Sequence, residues 1–168
     1  CSPFNSQFIN LSMGASNYLW NFGDGNTSTS FQPVYQYNNN SNQDVDLIAT
    51  LTATSAYGCN DSYSLNIHVW AVPDASFIAT PATQTLPDSI VTIDNTSSTG
   101  TWNYYWDFGD GTNSNFVEPD NHTYSTSGNF NILLIVSSAH CSDTAVNSIQ
   151  IIAPTPIAEF SINEFGCA

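Results

Sequence analysis

Carboxylates are the side chains through which this chain could do chemistry. Asp107 and Asp110 share the run Trp106-Asp107-Phe108-Gly109-Asp110-Gly111, Asp120 follows shortly after, and Asp24 stands in Trp20-Asn21-Phe22-Gly23-Asp24-Gly25. Carboxylates this close can trade protons in acid–base catalysis or hold a hard cation such as calcium, which takes carboxylate and carbonyl oxygens. The chain carries 14 Asp plus Glu, no Lys or Arg, and a net charge of −14, so it needs counterions. Asp24, Asp107, Asp110 and Asp120 are therefore calcium candidates, and no other cofactor is indicated. The simpler use of the same Asp residues is to cap backbone N–H groups in a tight turn.

Other chemistries find less support. The four cysteines, Cys1, Cys59, Cys141 and Cys167, form no CxxC pair, and His68, His122 and His140 are scattered; zinc-ligand spacing is absent. No motif such as a nucleophile elbow places a Ser–His–Asp set, so the chain reads as no enzyme. Without a Lys or Arg it has no cation to neutralise phosphates, which argues against nucleic acid and against anionic membrane surfaces. No apolar run approaches the roughly 20 residues that span a bilayer, so membrane insertion is not expected. The missing Lys and Arg also leave no trypsin-type cleavage site. That would suit an extracellular protein, although compositional drift in an acidic repeat protein explains it as well.

Self-similarity organises the chain. The two Trp-led runs match each other, Tyr37 recurs as Tyr124, Cys59-Asn60-Asp61-Ser62 as Cys141-Ser142-Asp143-Thr144, and Pro73-Asp74-Ala75-Ser76-Phe77 as Pro156-Ile157-Ala158-Glu159-Phe160. The period of about 82 to 87 residues suits one small β-sandwich. Strands are read from period-two runs: Val45, Leu47, Ala49, Leu51; Tyr63, Leu65, Ile67, Val69; Phe130, Ile132, Leu134, Val136. Gly, Asn, Asp and Pro clusters separate them, and no window carries a helical stripe. On this alternation Trp20 and Trp106 point inward. Gly23, Gly25, Gly109 and Gly111 allow a turn with positive φ.

These residues resemble the PKD repeat, an immunoglobulin-like sandwich marked by a Trp-Asp-Phe-Gly-Asp-Gly strand and turn, then a Pro and a Tyr. Pro119, His122-Thr123-Tyr124 and Gly128-Asn129-Phe130 continue the match in the second repeat; in the first, Asn21 replaces the Asp, and residues 38 to 43 replace a Gly-centred turn. The resemblance implies an all-β fold of tandem immunoglobulin-like sandwiches in a head-to-tail rod. Tyr37 and Tyr124 would act as tyrosine corners tying a loop to the sandwich. The expected divisions are 1–72, a repeat without its first strand; 73–155, a complete repeat; and 156–168, the first strand of a following repeat or a donor strand for the next subunit. The start at Cys1 reads as a mature or excised segment. Its register suggests either a window on a continuous array or subunits that polymerise by strand donation.

In such a topology Cys1 and Cys59 lie at opposite ends of one sandwich, too far apart for a bridge whose Cα atoms must lie within about 7 Å. Across a head-to-tail junction Cys1–Cys141 becomes the natural pair, with Cys59 and Cys167 looking to neighbouring units; unpaired thiols are the alternative. The junctions Trp70-Ala71-Val72-Pro73 and Ala153-Pro154-Thr155-Pro156 are short and lack Gly, so they should be stiff.

Surface chemistry completes the reading. Asn10, Asn26, Asn39, Asn60, Asn95 and Asn121 head Asn-x-Ser/Thr triplets, most of them coincidental in so Asn-rich a chain. Asp88-Ser89-Ile90 and Asp143-Thr144-Ala145 resemble the O-glycosylation signal of gliding, type IX-secreting bacteria, which carry large PKD-repeat surface adhesins. Ser89 and Thr144 are therefore glycan candidates. Trp70, Trp102 and Tyr104 could stack on sugars, or simply pack at strand ends. The expected function is a structural repeat of an extracellular filament, stalk or adhesin, at the cell surface or secreted, whose expected partners are neighbouring copies or repeats, head to tail, with glycans as a further candidate class. The rival is a non-catalytic carbohydrate-binding or spacer module of a secreted hydrolase.

Overall fold

β-branched and aromatic residues at alternate positions favour pleated strands that are buried on one face, and Gly-Asp-Gly and Asn-rich segments end them. In the computed structural model, which describes residues 1–162, this yields an all-β chain with no helix among the described residues. The first sandwich contains β1 (Phe4–Gln7), β2 (Asn17–Asn21), β3 (Thr27–Ser28), β4 (Val34–Tyr37), β5 (Val45–Thr54) and β6 (Asn60–Val69). The second contains β7 (Phe77–Thr80), β8 (Thr83–Thr85), β9 (Ile90–Asn95), β10 (Asn103–Asp107), β11 (Asn113–Ser114), β12 (His122–Thr123), β13 (Gly128–Ser137) and β14 (Ser142–Ile152).

In the first sandwich the sheet β3-β2-β5-β6 is covered by the pair β1-β4. In the second, β11-β10-β13-β14-β8 is covered by β12-β9-β7. Registers make the two superimposable. Trp20 lies opposite Leu51 as Trp106 lies opposite Leu134, and Tyr35 lies opposite Ser6 as His122 lies opposite Val91. Phe8 thus corresponds to Ile93, and Asn10 to Asn95.

The two cores differ in completeness. Phe77, Val91, Ile93, Trp106, Ile132, Leu134, Val136, Ile149 and Ile151 are all buried in the second. Phe77 comes from β7, which runs antiparallel to β9 with Phe77 opposite Asn95 and Ala79 opposite Ile93. Its ring meets Trp106 edge-on at 5.1 Å. Asn147 on β14 holds the same strand, its Nδ2 donating to the Phe77 carbonyl at 2.8 Å. Among the described residues nothing plays the part of β7 in the first sandwich. As a result β1 ends at Gln7, whereas β9 continues to Asn95. A strand is defined by its partner, and Phe8, Ile9 and Asn10 have none on that side.

Residues 156–162, read from sequence as a first strand, pair with no sheet, and their apolar side chains are exposed. The last part of that expected segment, including Cys167, lies outside the described residues.

Replacing Phe77 with Ala removes the ring that closes the second core. The expected cost is about 3–5 kcal/mol, seen as a lowered midpoint for the second domain in denaturant unfolding, with the first domain's transition unmoved.

Candidate functional site

The Gly-Asp-Gly turns are the most repeated local structure. Gly23 and Gly109 have φ of +88° and +79°, and a Cβ there would lie 2.6 Å from the Ile48 carbonyl oxygen or 2.7 Å from that of Asn131. The turn therefore presses on the neighbouring long strand, which only glycine permits. Inside it, Asp110 Oδ1 accepts from the Thr112 N–H at 3.0 Å and from the Thr112 hydroxyl at 2.6 Å, and Asp24 Oδ1 accepts from the Asn26 N–H at 3.1 Å. Asp107 Oδ1 accepts from the Gly109 N–H at 2.9 Å, as Asn21 Oδ1 does from Gly23. That equivalence explains why Asn can replace Asp in the first repeat.

A ring plate locks each turn to its sandwich. The Tyr35 ring stacks on Phe22 with centroids 3.8 Å apart, and its hydroxyl donates to Asp24 Oδ2 at 2.5 Å. In the second repeat His122 stacks on Phe108 at 4.2 Å and its Nε2 lies 2.8 Å from Asp110 Oδ2. Sequence reasoning missed Tyr35 and His122 as a pair. Their signal is position, since each stands two residues before the motif tyrosine. Those tyrosines are buried, and their hydroxyls donate to the carbonyls of Phe22 (Tyr37, 3.1 Å) and Phe108 (Tyr124, 2.9 Å). Burial pushes the Tyr37 phenol up to about 12 and raises Tyr124 as well. Desolvation pushes the Asp24 and Asp110 carboxyls up, but hydrogen bonds from Tyr35 and Asn26, and from Thr112 and His122, outweigh it and hold both below the ordinary carboxylate value.

The structure places the calcium candidates in separate turns, Asp24 in the first sandwich and the others in the second. The oxygens of Asp24 and Asp110 are used within their own turns, Asp107 caps Gly109, and Asp120 is exposed. Among the described residues no group of three or more His, Cys, Asp or Glu side chains could hold a metal ion.

The sugar-stacking candidates are engaged in packing. Trp102 and Tyr104 pack against the second core. The Trp102 indole lies against Gly100 and donates its Nε1–H to the Ser98 carbonyl at 3.0 Å. Trp70 is half-buried between His68 and His140, with ring centroids at 5.2 and 4.6 Å. Of the glycan candidates, Thr144 is exposed on β14. Ser89 is fully buried, and its hydroxyl donates to the Tyr124 carbonyl, so the folded domain offers no acceptor there.

The junction is built from both domains. Cys1 is disulfide-bonded to Cys141, with Cα atoms 5.6 Å apart. Asp44 Oδ1 accepts the Ala71 N–H at 2.9 Å and Asp143 Oδ2 the Ala75 N–H at 2.8 Å, so carboxylates from both sandwiches pin the connecting segment. The Ala71 bond is the main reason the Asp44 carboxyl titrates low, while Asp46 and then Asp44 raise His68. Cys59 is exposed and has no disulfide partner among the described residues.

The remaining feature is a groove of about 630 Å³ on the first sandwich, lined by Phe8, Ile9, Leu11, Trp20, Leu51 and Leu65 among others. It lies where Phe77 and its strand sit in the second sandwich. Leu65, the counterpart of Asn147, is 55% exposed.

A family model described as PKD domain matches residues 2–69 and again 70–152. Solved structures similar to this chain include the amphioxus IgVJ-C2 molecule, at 12% identity and TM-score 0.42, covering 87% of this chain and 96% of that one. Murine CEACAM1b is similar at 15% identity and TM-score 0.40, covering 89% of this chain and 92% of that one. No curated protein matches.

Two outcomes follow from the site. Asp24 and Asp110, held low, contribute stability that is complete above the ordinary carboxylate value of about 4 and is lost as pH falls through their lowered values. His68, held high, contributes below its ordinary value and loses that contribution as pH rises through the raised one. Asp110→Asn should therefore flatten the acid limb of a stability-versus-pH curve and cost below about 1 kcal/mol at neutral pH, its carboxylate being partly solvated. Reducing Cys1–Cys141 should leave both sandwiches folded by circular dichroism but speed hydrogen exchange at the Ala71 and Ala75 amides.

Proposed function

We propose a mechanical role for this chain, which belongs to the PKD-domain family and carries that domain twice in tandem. Domains of this kind are typically non-catalytic extracellular modules, and no catalytic domain is identified in the chain. A disulfide fits the same extracellular setting. The chain serves as a repeat segment of a bacterial surface filament, stalk or adhesin, holding whatever lies beyond it at a distance from the cell.

The observation that carries this reading is the covalent clamp across the junction. A module that only needed a spacer could join its domains with a flexible linker. Here Cys1–Cys141 fastens one sandwich to the next, and Asp44 and Asp143 hold the segment between them. Such a joint passes tension from domain to domain without hinging. The absence of Lys and Arg adds resistance to trypsin-like proteases outside the cell. Thr144 remains an outward-facing position for an O-glycan. The rival, a sugar-binding accessory module, loses support because Trp70, Trp102 and Tyr104 are occupied in packing.

Electron microscopy of native material tests the proposal. A periodic filament or stalk is expected. Discrete particles retained on chitin or cellulose would contradict it.

A further inference from the structure

We propose that the joint between the two sandwiches carries a proton-operated catch, in which His68 acts through Asp44 on the connecting segment. The joint is held fast at mildly acidic pH and loosens as the pH rises. The inference rests on the mechanical reading above and names a condition that regulates it. It starts from the side chain that must supply positive charge here, since the chain has three His and no Lys or Arg. Two of the three, His68 and His140, meet at the junction on either side of Trp70, with ring centroids 5.2 and 4.6 Å from the indole.

His68 on β6 lies opposite Asp46 on β5. Its Nδ1 lies 2.5 Å from Asp46 Oδ1, and its Nε2 lies 3.4 Å from Asp44 Oδ2. A ring with a carboxylate at each nitrogen needs a proton on both, and only the imidazolium has them. When the ring gives up one proton, the shorter contact with Asp46 keeps the other. Nε2 then turns a lone pair toward Asp44, and attraction becomes repulsion. Asp44 is the carboxylate that matters to the joint, because its Oδ1 accepts the Ala71 N–H at 2.9 Å.

The titratable groups around His68 act in one direction. Among the described residues Asp46 faces it across the strand pair, Asp44 from the segment before β5, and His140 from the β13–β14 turn beyond Trp70. Charge on His140 also draws the Asp44 carboxylate, so protonating either ring tightens the same anchor. Repulsion between the two rings opposes this, but Trp70 stands between them and the carboxylates lie nearer. Asp46 first, and then Asp44, hold His68 above the ordinary imidazole value. The catch is therefore set below that ordinary value and released as pH rises through the raised one. The Cys1–Cys141 bridge ties the sandwiches at any pH, so the catch is read at the connecting segment.

The test uses the 168-residue chain with that bridge formed. NMR follows two signals between about pH 5 and about pH 8. One is the His68 ring resonance, which reports its protonation. The other is hydrogen exchange at the Ala71 amide, taken relative to the unfolded-chain rate at each pH. Ala71 protection should fall at least about threefold as His68 loses its proton, with the same midpoint. The Ala75 amide, held by Asp143, should keep its protection. His68 is exposed, so His68→Gln should fold, and it should remove most of the fall. Asp46→Asn takes away the partner that keeps the proton on Nδ1 and should move the midpoint to lower pH. A flat Ala71 profile through the His68 titration, or the full fall in His68→Gln, would overturn the catch. If the bridged sandwiches still scattered X-rays as one rigid body in those cases, the mechanical role would stand without the catch.

Discussion

A tryptophan core needs a lid. In each sandwich the indole at the start of the motif lies at the centre of one sheet, and the opposing sheet must cover it. In the second sandwich Phe77 and its strand supply that cover, and Trp106 is fully buried. In the first, the matching position is an open groove, and the strand that should run through residues 8–10 stops at Gln7. Removing one element changes the assignment of its neighbour because a strand's backbone groups are satisfied only in pairs. The exposed Leu65 follows from the same fact.

The second constraint is the absence of Lys and Arg. Buried or bridging carboxylates usually find a cation, and here only histidine is available. The fold meets the need with neutral donors instead. Asp24 and Asp110 are satisfied by backbone N–H groups, hydroxyls and the edge of a ring that itself stacks on phenylalanine. Asp44 and Asp143 bind the linker amides. The acidic side chains thus shape turns and joints. The ring plate carries either Tyr35 or His122, since both present a polar edge at the same height above the phenylalanine.

Much of this was legible in the sequence. The repeated Trp-led run identifies the two turns, and the out-of-register cysteines point to a bridge across the junction. The packing of the aromatic candidates had a readable cause. Trp102 and Tyr104 lie four and two residues before Trp106 in a period-two pattern, so they share its inward face. Ser89 likewise shares a face with Val91 and Ile93, which makes it a buried hydroxyl. The ring plates were not legible from one repeat, since Tyr35 and His122 differ chemically and match only in position. The groove was legible, since a repeat without its first strand leaves an apolar groove and an unpaired edge. What was not legible is how far Phe8, which packs tilted against Trp20 at 5.2 Å, fills the space that Phe77 fills elsewhere, and that is a matter of shape and not of composition.

The central claim is that the clamp across the junction makes the two sandwiches one stiff unit. Small-angle X-ray scattering with and without a reductant tests it most directly. The account predicts a scattering profile of one rigid body with the Cys1–Cys141 bridge intact and a broadened one after reduction. A junction as mobile with the bridge as without it would contradict the account.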